Sequence, residues 1–86
     1  MPILSVFFGI VIRMYHADHN PAHFHVQYGE HEAIYGIANG RQIAGKLPTR
    51  VDKIVREWWK IRKKDLLRAW KQAADLKTPD RIKPLD

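Results

Sequence analysis

The sequence predicts an α+β fold in which an antiparallel three- to four-stranded meander is followed by two C-terminal helices packed on one sheet face. Between His23 and Tyr28 apolar and polar residues alternate, which is the period of a half-buried strand. Asn39-Gly40 is a strong hairpin signal. After Pro48 the apolar residues recur every three or four positions, which is the period of a helix that covers a core.

The predicted strands follow one another with short turns between them. Residues 10–15 are β-branched or large except for Arg13 and predict the first strand. The segment 18–22 predicts a turn, because Asp and Asn side chains bond their own backbone and Pro21 prevents a regular continuation. We expect Asn39-Gly40 to form a type I′ turn, in which both central residues have positive φ. Further strands are predicted at residues 23–28, 32–38 and 41–44.

Two helices are predicted in the second half, at residues 48–62 and 64–76. Pro48 suits the first turn of a helix, where its missing N–H is not needed. An apolar stripe begins the first helix and includes Val51, Ile54, Val55, Trp58 and Ile61. Its continuation would reach Arg62 and Asp65, whereas the apolar residues resume at Leu66. We interpret this change of phase as a break between two helices.

The chain length predicts one domain. Eighty-six residues without cysteine exclude two independent domains, a disulfide scaffold and thiol catalysis. We expect a single α+β domain over residues 1–77 and an extended or mobile C-terminal tail over residues 78–86. The apolar run at residues 3–12 is too short to span a bilayer and lacks the flanks of a signal peptide. We therefore expect a cytoplasmic protein without membrane contact.

The strand predicted at residues 23–28 has two different faces. Its apolar face consists of Phe24, Val26 and Tyr28. We expect the helices to cover this face, because a sheet and a helix each have one apolar surface to bury. The other face consists of His23, His25 and Gln27. We therefore expect the two imidazoles to point together from an open face, with His19 and Asp18 folded back over them.

One interpretation of the histidine segment is general acid–base chemistry on RNA. Imidazoles that titrate near neutral pH can take and give protons during transesterification of a phosphodiester. Arg13 would stabilise the charge on phosphorus, and Tyr15 shares its side of the first strand. This chemistry needs no cofactor. The candidate catalytic residues are His19, His23, His25 and Arg13.

Two other interpretations of the same segment stay open. One is a site for a divalent transition metal, since imidazole and carboxylate groups are its usual ligands. The candidate metal ligands are His19, His23, His25 and Asp18, with Glu30 as a further carboxylate. The other interpretation is structural, because histidines beside an Asn-Pro turn cap backbone groups or pack against aromatic rings.

Charge is distributed unevenly along the chain. Residues 1–40 contain all five histidines and have a net charge of −2, whereas residues 41–86 contain fourteen basic and six acidic residues. The basic half indicates either an anionic partner such as nucleic acid or a solvated helix surface. The candidate nucleic-acid or partner-binding residues are Trp59, Lys60, Arg62, Lys63 and Lys64. A non-catalytic regulator that binds through this surface is the alternative to an enzyme.

Residues 8–15, 18–29 and 45–48 have the sequences FGIVIRMY, DHNPAHFHVQYG and GKLP. Together, these three segments resemble the bacterial domain-of-unknown-function family 4160. The resemblance implies candidate functional residues at Asp18, His19, Pro21, His23, Phe24 and His25. It also implies a toxin–antitoxin-like pair with a small protein of domain-of-unknown-function family 2442. Because a chain this short buries little surface alone, self-association is a further expectation.

Overall fold

The fold is an antiparallel sheet with a single long helix packed on one face. A computed structural model describes residues 2–16 and 19–85. Within them the elements, in chain order, are β1 (Ile3–Phe7), β2 (Ile10–Arg13), β3 (His23–Tyr28), β4 (His31–Gly36), β5 (Gln42–Gly45) and α1 (Thr49–Ala74). The sheet order β1-β2-β3-β4-β5 is that of a meander, and the predicted α+β class is confirmed. In this described part of the chain, no helix is both long enough and apolar enough to cross a membrane.

The sequence predicts three or four strands, whereas the described residues form five. The additional strand is β1, which was not predicted. β1 pairs with β2 through a two-residue turn formed by Phe8 and Gly9. Their φ angles are 51° and 76°, and two positive values are the mark of a type I′ turn. Asn, Asp and Gly are the usual residues at the first of these positions, so Phe8 conceals the hairpin from sequence analysis.

The connection between β4 and β5 forms a hairpin where one was predicted, but the prediction of a type I′ turn is wrong. Of the two central residues only Gly40 has a positive φ, at 67°. The side-chain oxygen of Asn39 instead accepts a hydrogen bond from the backbone N–H of Arg41 over 3.0 Å. A Cβ on Gly40 would approach the ring of Trp59 to 2.5 Å. Glycine is therefore needed here for both its backbone conformation and its lack of a side chain.

The prediction of two helices is wrong, because α1 continues without a break through residues 62–65. Its buried stripe consists of Val51, Val55, Trp58, Leu66, Ala69 and Ala73. Ile61 and Leu67 are exposed by 55% and 46%, so they do not belong to the stripe. Arg62 fills the gap in the spacing between Trp58 and Leu66. The apparent change of phase came from counting the exposed Ile61 as core.

Arg62 can occupy the buried side of α1 because the C-terminal tail brings carbonyl oxygens to it. Its Nε donates to the carbonyl of Lys83 over 3.2 Å and its Nη2 to that of Pro84 over 3.4 Å. A guanidinium supplies several N–H donors while its aliphatic stem covers apolar surface. The carbonyl oxygens of the tail therefore allow a cationic residue to lie in line with the buried stripe.

Residues 78–85 contain no helix or strand and return along α1. Ile82 is buried, and its backbone N–H donates to the carbonyl of Leu4 in β1 over 2.7 Å. Near the end of the helix, the side chain of Gln72 bonds both the backbone N–H and the carboxylate of Asp80. The tail thus covers part of the outer edge of β1 and adds a buried side chain to the core.

The core lies between α1 and the apolar face of the sheet, which is the face that the alternation in β3 predicts. Phe24 lies against Trp58, with ring centroids 5.8 Å apart, and stacks on Tyr35 at 5.7 Å. Both rings and the indole are fully buried. Because α1 covers this face, the opposite face of β2, β3 and β4 remains without a helix.

Replacing Phe8 with Asn should stabilise the isolated chain. A bulky residue adopts a positive φ at a cost of about 1 kcal/mol, which Asn largely avoids. The side chain of Phe8 is 61% exposed, so little burial is lost. Urea denaturation should show a free energy of unfolding higher by about 0.5–1 kcal/mol in Phe8→Asn. Phe8→Ala keeps the conformational cost, and an equal gain in that variant would contradict the explanation.

Tyr35 should make stability depend on pH in the alkaline range. Burial, followed by its 2.5 Å hydrogen bond to Asp52 and the charge of that carboxylate, raises the pKa of Tyr35 above its ordinary value of 10.0. The folded chain therefore holds this proton more tightly than the unfolded chain. The contribution is complete below about pH 10 and is lost as the pH rises further. Denaturation at several pH values should show a steeper alkaline loss in the wild type than in Tyr35→Phe, and equal losses would refute this.

Candidate functional site

The face of the sheet opposite α1 is polar along its three central strands. Antiparallel pairing places Arg13 of β2 opposite His25 of β3, and Gln27 of β3 opposite Glu32 of β4. Paired residues on neighbouring strands point to the same side of a sheet. Tyr15 follows Arg13 by two residues, so it has the same direction. The register thus gathers five polar side chains on one face.

These side chains line a cleft of about 320 Å³. Its polar lining consists of Arg13, Tyr15, His25, Gln27 and Glu32. The apolar lining includes Val11, Ile34 and Ala44. A concave site with a few convergent polar groups on an apolar floor is typical of ligand binding.

Two contacts orient the side chains of the cleft. The rings of Tyr15 and His25 meet edge to face, with centroids 4.3 Å apart and planes at 81°. Arg13 donates a hydrogen bond from Nη1 to Oε1 of Gln27. A guanidinium has five N–H donors in a planar fork, so this bond leaves further donors for an anion. The cleft therefore presents a cation beside an imidazole.

His23 does not stand on an open face, contrary to the prediction. It is only 5% exposed, because Trp70 of α1 lies against its ring with centroids 5.2 Å apart. Its Nδ1 lies 2.6 Å from the carbonyl oxygen of Pro21, and a carbonyl only accepts, so Nδ1 donates the proton. The ring centroid of His25 is 5.2 Å from that of His23. His23 therefore packs behind His25 and is not part of the cleft lining.

His19 is exposed and lies outside the cleft lining. Its ring centroid is 5.6 Å from that of His23. The imidazoles of His19, His23 and His25 and the phenol ring of Tyr15 therefore form one continuous series of ring contacts. Of the predicted catalytic residues, the structure brings Arg13 and His25 into the cleft.

The described residues contain no group of three His, Asp or Glu side chains arranged to hold a metal ion. Of the predicted ligands, His19, His23 and His25 are in ring contact. Asp18 lies outside the described residues. Glu30 is exposed in the turn between β3 and β4.

Comparison with family models matches residues 9–71 to a domain of unknown function, DUF4160. The chain belongs to the DUF4160 family. The match includes β2 to β5 and most of α1, and with them every residue that lines the cleft of the DUF4160 protein. Comparisons with curated proteins and with solved structures find no match.

The five residues predicted to bind nucleic acid or a partner divide into two groups in the DUF4160 protein. Trp59 is half-buried rather than exposed, and its Nε1 donates over 2.6 Å to a carbonyl of the β4–β5 connection. Lys63 donates to the next carbonyl over 2.8 Å, and Arg62 bonds the tail. These three residues hold loops against α1. Lys60 and Lys64 are exposed.

Glu32 is the cleft residue of the DUF4160 protein that sequence analysis missed. Glu32 is not part of a recognisable sequence motif, and its position in the cleft depends on the register between β3 and β4. That register is set by the turn at residues 29–30, where Gly29 has a φ of 57°. Counting residues outward from this turn pairs Gln27 with Glu32. The turn is therefore the sequence feature from which the position of Glu32 could have been predicted.

Proposed function

We propose that this DUF4160 protein is a component of a two-protein bacterial module and that it cleaves RNA, without a metal, in the cleft on the uncovered face of its sheet. The observation that supports the proposal most is the pairing of Arg13 with His25 across β2 and β3, inside that cleft. A cation beside an acid–base group is the combination that phosphodiester transesterification requires.

The cleft contains two acid–base groups at a useful separation. His25 is opposite Ile34, and Glu32 precedes Ile34 by two residues on β4. His25 and Glu32 are therefore diagonal neighbours, with Cα atoms about 7–8 Å apart. A phosphodiester between them would have a proton acceptor on one side and a proton donor on the other.

In the proposed step, the Glu32 carboxylate takes the proton of the ribose 2′-hydroxyl. The 2′-oxygen forms a bond to phosphorus while the bond from phosphorus to the 5′-oxygen breaks. The imidazolium of His25 gives its proton to that leaving oxygen, and Arg13 binds the non-bridging oxygens on which charge accumulates. The products are a 2′,3′-cyclic phosphate and a 5′-hydroxyl.

The residues around the cleft act by positioning. Tyr15 meets the ring of His25 edge to face, and the ring of His23 lies 5.2 Å from it, so both contacts limit how the His25 ring turns. Gln27 accepts a hydrogen bond from Arg13 and so limits the movement of its guanidinium. Pre-oriented groups lower the barrier because they need no rearrangement during the reaction.

The second component of the module, in this proposal, is a protein of domain-of-unknown-function family 2442 that acts as antitoxin in the bacterial cytoplasm. The uncovered sheet face supports a protein partner, because Val6 on β1 and Ile43 on β5 are exposed by 48% and 51% at its two margins. A protein bound across this face would bury both side chains and close the cleft between them. Partner binding and RNA cleavage would then exclude each other.

Removing either central side chain should abolish most of the cleavage. Arg13→Gln and His25→Ala should each lower the rate on a fluorescent RNA oligonucleotide by about 10²–10³-fold, as loss of a charge-stabilising or proton-transferring group does. Circular dichroism would verify that each variant is folded.

Matched controls for these variants are Arg41→Gln and His31→Ala, which change exposed residues outside the cleft lining. Both should cleave at the wild-type rate. If the cleft variants also cleave at that rate, or if the wild type cleaves no RNA to a cyclic phosphate, the proposed function is wrong.

Chelation should leave cleavage unchanged. The proposed step uses only side chains, so about 5 mM EDTA should not alter the rate, whereas it would remove a catalytic metal. The measurement is the same oligonucleotide assay, before and after dialysis against EDTA. Activity that disappears on chelation and returns with Zn²⁺ or Mn²⁺ would instead favour a metal site that uses His19, His23 and His25.

A further inference from the structure

The outer face of α1 contains a straight row of lysines, which we call the lysine ridge. It consists of Lys53, Lys60, Lys64 and Lys71. These spacings of seven, four and seven residues place the four side chains within roughly 40° of one another around the helix axis. All four are exposed, and the ridge lies on the opposite side of the helix from the buried stripe of Val55 and Leu66.

The lysine ridge extends over most of the length of α1. At about 1.5 Å per residue it extends for about 27 Å along the helix. The ion pairs that the structure describes on α1 join Asp52 to Arg56 and Asp65 to Arg68, and neither includes a ridge lysine. Lys60 and Lys64 are four residues apart, where like charges destabilise a helix. The exposed carboxylate of Glu57 lies next to the ridge, since Glu57 follows Lys53 by four residues and precedes Lys60 by three.

A second cleft, of about 440 Å³, borders the ridge. It lies between α1 and the β4–β5 connection, and its helix side consists of Lys53, Arg56, Glu57, Lys60 and the indole of Trp59. Asn39 and Gly40 form its other wall. Cations that follow a sugar–phosphate backbone are a usual element of single-strand nucleic-acid binding.

We propose that the lysine ridge binds the sugar–phosphate backbone of a nucleic acid. A polyanion can contact all four ammonium groups at once, which a single small anion cannot. An acidic protein fits less well, because the cores of protein interfaces are depleted of lysine. Phosphate contacts by contrast rely on lysine and arginine.

This ridge is independent of the cleft that contains Arg13 and His25. The two lie on opposite sides of the molecule, since α1 covers the apolar face of the sheet and the ridge is on the far side of α1. A nucleic acid on the ridge would hold the protein on its target without entering the cleft.

The test compares two variants of equal charge. The ridge variant replaces Lys53, Lys60, Lys64 and Lys71 with Gln. The matched control replaces four exposed basic residues away from the ridge, Lys46, Lys77, Arg81 and Lys83, with Gln. Both variants lower the net charge from +6 to +2. Circular dichroism would verify that both are folded.

Binding is measured by fluorescence anisotropy on a 2′-O-methyl RNA strand of about 20 nucleotides and on a DNA strand of the same sequence, at several salt concentrations. A 2′-O-methyl strand has no free 2′-hydroxyl, so the result does not depend on whether the protein cleaves RNA. The two strands distinguish a site for RNA from one for either nucleic acid.

The ridge variant should bind at least tenfold more weakly than the wild type, while the control should lose less than about threefold. The slope of log K against log salt should fall by about 3 in the ridge variant, since each phosphate contact on a single strand contributes about 0.7. Equal losses in the two variants would mean that net charge alone attracts the strand and would overturn the proposal. Absence of binding by the wild type to either strand would overturn it as well.

Discussion

Trp58 is the side chain on which the packing of this protein depends. Its fully buried ring contacts Phe7 of β1 and Phe24 of β3, with centroids 5.4 and 5.8 Å apart. Its Nε1 donates to the carbonyl of Lys83 in the tail over 2.9 Å. A buried indole N–H without an acceptor is costly, so the apolar core and the docked tail depend on each other. One residue thereby joins the first strand, the central strand, the helix and the tail.

The packing around Trp58 also determines which surface remains open. A single helix covers the apolar face of the sheet, so the polar face of β2, β3 and β4 keeps its cleft. The second half of the same helix reaches the beginning of β3, where Trp70 packs on His23. His23 in turn contacts His25, so the core supports the candidate site from behind. The family match from residue 9 to residue 71 contains this whole arrangement, whereas β1 and the tail, which bond each other, lie outside it.

The basic half of the chain has two different structural roles. Arg62 and Lys63 hold the tail and the β4–β5 connection through backbone carbonyls. Lys60 and Lys64, close to them in sequence, point away from the core and are exposed. Neighbouring residues of the same charge therefore belong to different surfaces, since successive positions on a helix are about 100° apart. Composition gives the net charge of this half, but only the rotation around α1 shows which cations face outward.

The sequence alone determined the alternation that places Arg13, Tyr15 and His25 on one face, and the period that marks the helix, because both patterns are local. The tertiary structure determined the features that depend on contacts between residues far apart in the sequence. Arg62 lies in line with the buried stripe because its guanidinium reaches a carbonyl 21 residues later, and His23 is buried because of Trp70. Glu32 enters the cleft through strand register. Such contacts depend on how the chain folds back on itself, which no local pattern records.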